Sequence, residues 1–278
     1  MNRKPVLQIN NVGIYILLSF GAVIMLIPFA WMLLTAFKTY QEAVKVPVVW
    51  IPAKWSFTNY KTVFGVLDFF RYYQNTIFVT VIIVSVQLFM CSLAAFTFAR
   101  MNFPFKNVLF FMLLLVFMIP PQMTLIPRYI LAAKLGWIDT FRGIIIPSLF
   151  SVYTVFMLRQ FFQSLPQELE DAARIDGCSF FRIYWNIMLP LITSGLVAIG
   201  MLNILYAWND VLWPLVVAGS EKTRVLSVGM QTLQGGRQGT QYHLMMAASS
   251  LAMAPMVILY LICQRFFVVG ISTTGIKG

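Results

Sequence analysis

The stretch Ser164-Leu-Pro-Gln-Glu-Leu-Glu-Asp-Ala-Ala-Arg-Ile-Asp-Gly177, followed after nine residues by Ile187-Met-Leu-Pro190, is the polar interruption around which the chain is arranged. It holds Glu168, Glu170, Asp171 and Asp176, four of the nine acidic residues. Ser164 and Gln167 have capping-box spacing, and Pro166 is tolerated in a first helical turn. Acidic side chains at that end suit the helix dipole. Leu169, Ala172, Ala173 and Asp176 follow i, i+3, i+4, i+7 spacing, which predicts a narrow small or apolar face on a short helix. Gly177 stands where a residue of positive φ ends a helix. Ser179 is placed to cap a second helix over residues 180–189, and Pro190 to turn the chain out of it. The stretch therefore reads as a short helix-turn-helix. Two roles fit: docking into a groove of a soluble partner, or lying on lipid as an amphipathic helix. Lipid-surface helices carry Lys and Arg on the polar face, whereas this polar face is mostly acidic.

Outward from it, the chain turns apolar in both directions. Of 278 residues, 60% are hydrophobic and only 10% charged, with 20 Lys+Arg, 9 Asp+Glu and one His. Mean hydropathy is +0.80. Soluble domains are about 45–50% apolar and about 25% charged, so an ordinary soluble enzyme, a disordered chain and a disulfide scaffold are excluded. Six segments reach the roughly 20 apolar residues of a membrane span: 12–37, 73–98, 105–126, 141–162, 191–217 and 244–267. Backbone in lipid must bond to itself, and the alternation of a barrel is absent, so the spans are expected to be helices. The first run follows Arg3 and Lys4 like a signal peptide, but it is too long and lacks a small-residue cleavage site, so it is expected to be retained. Residues 38–72 contain four lysines and Trp50, Trp55 and Tyr60, which suit a membrane boundary. The fold expected is an all-α polytopic membrane protein of six transmembrane helices.

Charge does not orient the bundle. With the N-terminus cytoplasmic, the inner side holds Arg3, Lys4, Arg100, Lys106, Arg159, Arg174, Arg182, Arg265 and Lys277, and the outer side the other eleven basic residues. The short loop with Arg100 and Lys106 favours N-inside. The net charge of +11 is thus spread over both faces and is no nucleic-acid footprint. Cys91, Cys178 and Cys263 form no disulfide framework or zinc set; all three map to the inner half and are expected to be reduced. A single His leaves no His-based metal site. No His-Glu-x-x-His and no Gly-x4-Gly-Lys-Ser/Thr occurs, so the chain carries neither a metalloprotease motif nor a phosphate loop.

The run Asp171-Ala172-Ala173, three residues, Gly177, nine residues, Ile187, Met188, Leu189, Pro190 resembles the EAA loop of ABC importer permeases, Glu-Ala-Ala-x3-Gly-x9-Ile-x-Leu-Pro, with Asp171 in place of Glu. Asp171 keeps the charge and shortens the reach by one methylene. Further likeness to the smaller permease of maltose-type sugar importers lies in Pro120-Pro121, Leu158-Arg-Gln-Phe-Phe162, Ala207-Trp-Asn-Asp-Val-Leu-Trp-Pro214 and the ending Gln264-Arg-Phe-Phe267, Gly270, Lys277-Gly278. The resemblance implies a type I importer permease with both termini cytoplasmic, in the bacterial cytoplasmic membrane. It implies a tail, first helix and first extracytoplasmic segment over 1–70, a permease core over 71–265 and a C-terminal tail over 266–278. The implied partners are a second homologous permease, two cytoplasmic ATPases that bind ATP and Mg, an extracytoplasmic solute-binding protein, membrane lipid and the sugar. The chain itself is expected to hold no cofactor and no metal and to catalyse nothing. Glu170, Asp171, Ala172, Ala173, Asp176, Gly177, Ile187, Leu189 and Pro190 are the implied ATPase-coupling residues.

Polar residues inside spans are costly and face protein or water. Asn203, Tyr206, Asp210 and Trp213 form one stripe of the fifth span, with Asn209 beside it. Their amide and aromatic groups suit a sugar; helix–helix hydrogen bonding is the other reading. Thr76, Thr80 and Gln87 share a face of the second span, where interhelical packing is favoured over solute contact, and Asn75 is a candidate pathway or gate residue. Ser85 and Ser92 share another face. Pro120-Pro121 is expected to kink or break the third helix or to mark its end. Residues 218–242, with Gly219, Gly229, Gly235, Gly236 and Gly239, read as a flexible outer loop. No Arg or Lys stands in the middle of a predicted span, which favours a neutral di- or oligosaccharide over glycerol 3-phosphate or a glycerophosphodiester. An ion-coupled secondary transporter would need internal repeats and a buried ionisable pair, and neither is visible.

Overall fold

The computed structural model describes residues 11–234 and 240–274. Arg3, Lys4, Gly235, Gly236, Gly239 and Lys277 lie outside them. Helices follow in the order α1 (Asn11–Ala36), α2 (Tyr40–Val44), α3 (Thr58–Val66), α4 (Phe69–Arg100), α5 (Lys106–Phe117), α6 (Leu125–Lys134), α7 (Phe141–Ile145), α8 (Val152–Ser164), α9 (Glu168–Ile175), α10 (Phe180–Ile183), α11 (Leu189–Leu191), α12 (Thr193–Asn209), α13 (Leu212–Val217), α14 (Leu226–Gln231) and α15 (Tyr242–Thr274). There is no strand among the described residues. Val12–Ala36, Phe69–Arg100, Thr193–Val217 and Tyr242–Gln264 are each long and apolar enough to cross a membrane. The third and fourth predicted spans are bent pairs: Lys106–Phe117 with Pro121–Lys134 at 90°, and Phe141–Ser148 with Val152–Ser164 at 40°.

The chain divides into two compact units, Met1–Leu67 with Thr232–Met253, and Asp68–Gln231 with Ala254–Gly278. In the first unit, α1 is apolar all round and exposes nearly all its side chains, as a lipid-facing helix does. Its last carbonyls are orphaned by the helix end. Asn59 on α3 satisfies Ala36 and Lys38 there, donating to their carbonyls at 2.8 and 2.7 Å. Trp50 packs edge-on against Trp31, and Trp55 and Tyr60 pack against Phe37. Glu42 closes a capping box with Thr39 and also accepts from the Ala53 amide. These backbone bonds hold its carboxyl below the usual carboxylate range.

The second unit is built on α4, whose 32 residues span about 48 Å at 1.5 Å each. Its buried face packs on α8 and α12. Of the two broken spans, α7–α8 packs on it, while α5 packs on α8 and α6 on α13, and each break has a visible cause. Pro120 and Pro121 lack amide protons, so α5 ends in tight turns, Met118 N–H to Leu115 and Ile119 N–H to Val116. Pro121 then opens a short 3₁₀ turn that leads into α6. Between α7 and α8, Pro147 sits in a second 3₁₀ turn and Ser151 caps α8 by accepting from the Thr154 amide at 3.2 Å. A break at membrane depth leaves backbone groups that need partners. α4 supplies them: the Gln87 amide donates to the Ser148 carbonyl at 3.1 Å, and the Cys91 thiol exchanges bonds with Ser151.

The described part of the predicted outer loop, residues 218–234, is more ordered than a flexible loop. Thr223, Val225, Leu226, Val228 and Leu233 are buried, and α14 forms within the loop. Asn75 donates to the Lys222 and Arg224 carbonyls, while Thr76 accepts from the Leu226 amide. Gly229 serves close packing, because a Cβ there would collide with the Tyr72 ring.

Candidate functional site

Two regions of the second unit carry the predicted functional residues. The first is the ledge formed by α9, α10 and α11. Ser164 does not cap α9. It ends α8 and donates to the Phe161 carbonyl at 2.8 Å, and the N-cap Gln167 makes no side-chain bond. The reason is competition, since the apolar pattern of α8 continues to Phe162, which is fully buried, and carries the helix past the capping position. Arg100, at the end of α4, donates to the Phe162 and Leu165 carbonyls and satisfies that helix end.

The far end of α9 forms as expected. Gly177 has φ +76°, its amide donates to the Arg174 carbonyl, and the Cys178 amide donates to the Ala173 carbonyl, both at 3.0 Å. This is a Schellman end. Ser179 caps α10 by accepting from the Arg182 amide at 3.4 Å. The second helix continues past the expected Leu189. A π turn over Tyr184–Met188 links α10 to α11, with the Leu189 amide bonding to the Tyr184 carbonyl. The wide turn lets Pro190, which has no amide proton, ride in the first turn of α11, so the chain turns at Ile192 rather than at Pro190.

The small face of α9 is split. Ala173 and Glu170 point inward, 5% and 3% exposed, whereas Asp171, Ala172 and Asp176 face solvent and Ile175 is 87% exposed. Glu170 is held by an ion pair with Arg174 one turn on, and Arg174 lies over the Phe180 ring. Ala173, Ile183, Tyr184 and Met188 join a core with Cys91, Phe96, Leu158 and Phe162, and Ile187 and Leu189 pack against it. The Tyr184 hydroxyl bonds to Ser92 Oγ at 2.8 Å, and burial raises its pKa above the ordinary phenol value. The ledge is thus keyed into the helical core on one side. On the other it exposes carboxylates beside Ile175, Phe180, Phe181 and Trp185.

The second region is a cavity of about 590 Å³, within the roughly 300–1,000 Å³ of small-molecule sites. Thr80, Gln87, Asn203, Tyr206 and Asp210 all line it. Asn75, Asn209 and Trp213 do not. Asn75 holds the 222–224 turn, Asn209 is exposed and bonds back to Leu205, and Trp213 is buried with its indole N–H on the Gly143 carbonyl at 3.0 Å. Asn203 lines the cavity and also exchanges two hydrogen bonds with Thr154, so both readings of that residue apply. Gln87 is likewise shared between the cavity and the Ser148 carbonyl.

One lining residue was missed. Arg128 was assigned to the loop after the third span, but the 90° break swings α6 so that Arg128 lines the cavity. Its guanidinium lies 4.2 Å from the Trp213 ring centre and donates to Ser148 Oγ at 3.2 Å. This overturns the expectation of a pathway free of Arg and Lys. Pro120-Pro121 was the available signal: a proline pair that breaks a span can turn the following turns inward.

The family model for the binding-protein-dependent transport system inner membrane component matches residues 88–272. Among curated relatives, the arabinooligosaccharides transport system permease protein AraQ of Halalkalibacterium halodurans is 32% identical over 94% of this chain and 94% of its own length. The sn-glycerol-3-phosphate transport system permease protein UgpE of Brucella abortus is 27% identical over 99% of each. Among solved structures, a bacterial ABC transporter involved in import of the acidic polysaccharide alginate superposes with a TM-score of 0.81. It is 22% identical and covers 96% of this chain and 99% of that one, a likeness of fold.

Proposed function

Because the chain belongs to the family of binding-protein-dependent transport system inner membrane components, we propose that it is one half of the membrane pathway of an ATP-driven oligosaccharide importer. The other half is a second, related permease. Two cytoplasmic ATPases bind ATP and Mg, and a solute-binding protein delivers the sugar from the far side. The ledge of α9–α11 faces the cytoplasm in this reading, with both chain termini on the same side. The observation that carries it is the ledge itself. One side is locked into the core through Ala173, Tyr184 and Met188, and the other offers Asp171, Ala172 and Ile175 to a partner. A short helix with a rigid end transmits rigid-body motion of a docked subunit with little loss.

The arabinooligosaccharide relative supports a sugar as cargo. The glycerol 3-phosphate relative supports an anion, and Arg128 in the cavity is the observation that favours it, opposed by Asp210 in the same lining. The test is reconstitution of this chain with the second permease, the ATPase and the binding protein from the same cells. Sugar-loaded binding protein is expected to stimulate ATP hydrolysis and drive uptake into vesicles. Uptake that persists without ATP, or a complex that assembles without an ATPase, would defeat the proposal.

A further inference from the structure

Arg128 and Asp210 both line the cavity and are close enough to feel each other's charge. Yet the ion pairs among the described residues are Arg71–Asp68 and Arg174–Glu170, and these two residues form none. Arg128 has five N–H donors, of which one is engaged, on Ser148. The Asp210 carboxylate is served by backbone amides of the next turn, Trp213 at 3.4 Å and Leu212, and by no side chain among the described residues. A third group is also unsatisfied. Thr80 is 4% exposed, lines the same cavity, and its hydroxyl has no hydrogen-bond partner. Buried polar groups are rarely left unpaired, and those that are call for an explanation such as an absent ligand.

From this we infer that the cavity is a subsite for one uncharged sugar residue, in which Arg128 donates to one hydroxyl, Asp210 accepts from another and Thr80 bonds to a third. The inference rests on the importer reading and narrows its cargo. Opposite charges held apart make a lining that is neutral overall but strongly polar. A carboxylate or phosphate drawn to Arg128 would meet Asp210, and an amine drawn to Asp210 would meet Arg128. A neutral polyol serves both, since each hydroxyl donates and accepts. Tyr206, which is largely exposed in this lining, adds an aromatic surface for the apolar faces of a sugar ring. This subunit therefore contacts the cargo itself and does not merely close a pathway whose binding site lies in the other permease.

The test uses the complete complex in lipid nanodiscs with a non-hydrolysable ATP analogue, and direct binding of radiolabelled sugars without the binding protein. The probes are neutral arabino-, xylo-, malto- and galacto-trioses, trigalacturonate and glycerol 3-phosphate. The wild type is expected to bind at least one neutral triose more tightly than either anion. Thr80→Val removes a hydroxyl with no internal partner, so thermal stability should be unchanged while affinity for that triose falls about three- to tenfold. Asp210→Asn should leave an unopposed guanidinium and raise trigalacturonate binding relative to the neutral triose. Failure of the wild type to bind any triose, tighter binding of an anion, or wild-type affinities in both variants would each overturn the inference. In all three cases the importer reading still stands if loaded binding protein stimulates ATP hydrolysis, and falls if it does not.

Discussion

The ledge and the cavity sit on the same unit but are specified in different ways. The ledge is written locally. Gly177, Ser179 and the Asp171-Ala172-Ala173 run lie within nine residues of one another, and Gly177 and Ser179 set the helix ends through bonds to near neighbours in sequence. The cavity is assembled over distance. Thr80 comes from α4, Arg128 from α6 and Asp210 from the junction of α12 and α13, and Arg128 reaches the lining only because a proline pair breaks a span seven residues before it. A locally specified element keeps its geometry when its surroundings move, as a coupling device must. An element assembled from several helices changes shape when any of them moves, as a pathway must. Breaking a local signal should therefore damage coupling with little effect elsewhere, whereas breaking a long-range tie should act through the stability of the unit.

The largest effect is expected at Gly177. A Cβ there meets nothing within 4 Å, so crowding is not the obstacle. The obstacle is φ +76°, where an L residue costs about 1–2 kcal/mol and a β-branched one is a genuine outlier. Gly177→Val should force the Schellman end open and tilt α9. Stimulation of ATP hydrolysis by loaded binding protein should fall by at least about tenfold, the factor that about 1.4 kcal/mol sets. Gly177→Asn, which tolerates the left-handed region, should retain most of it. Equal coupling in the valine variant, measured on complexes of normal subunit content, would break the contrast between the two regions.

The same contrast decides what was legible in the sequence. The apolar runs predicted the spans, because burial in lipid is a property of composition over about 20 residues. Gly177 and Ser179 were legible because a positive φ and a cap are local demands. Ser164 misled because the capping box competes with continuation of α8, and the fully buried Phe162 decided in favour of the helix. Pro190 misled because a π turn upstream can accommodate a proline. The split of α9 was hidden, since the spacing of Ala172 and Ala173 does not say which of them meets the core. Arg128 was out of reach of any window, because its position depends on the angle at which α6 leaves Pro120-Pro121. These geometries come from the packing of α4 against α7 and α8, of α5 against α8 and of α6 against α13.

Asp139 tests a long-range tie away from both regions. It occupies the left-handed region at φ 56°, which Asp tolerates. Its carboxylate accepts from the Ser220 amide at 2.9 Å and from the Thr223 hydroxyl. These bonds lower its pKa from 3.8 to about 2. The folded state thus favours the ionised form. The stabilisation is complete above about pH 3.8, where the unfolded chain is also ionised, and is lost as pH falls through about 2. Asp139→Asn should cost about 1 kcal/mol near neutral pH, a figure reduced for the part-buried setting. In thermal unfolding of the purified complex, the gap between variant and wild type should narrow steadily below pH 4. A gap that widens on acidification would mean that the carboxylate is not what pins the 220–223 turn.

The smallest effect, and the most informative about where the two modes of specification join, is expected at Tyr184. Its hydroxyl is the polar link between the ledge and α4, through Ser92 at 2.8 Å. Ser92 also donates to the Phe89 carbonyl at 3.0 Å, so it is not orphaned when the tyrosine hydroxyl is lost. The ring itself packs against Phe96 and Phe162, and phenylalanine keeps those contacts. Tyr184→Phe should therefore cost only about 0.5–1 kcal/mol, the net worth of one hydrogen bond with its partner still served. If the ledge is positioned by apolar packing, coupling will follow this small loss and stay near wild type. If the Ser92 bond sets the angle of α10, coupling will drop well beyond the stability change, and Ser92→Ala will reproduce the drop. In that second outcome the ledge would share the long-range character of the cavity, and motion of α4 around the cargo would reach the ATPase surface through one hydroxyl pair.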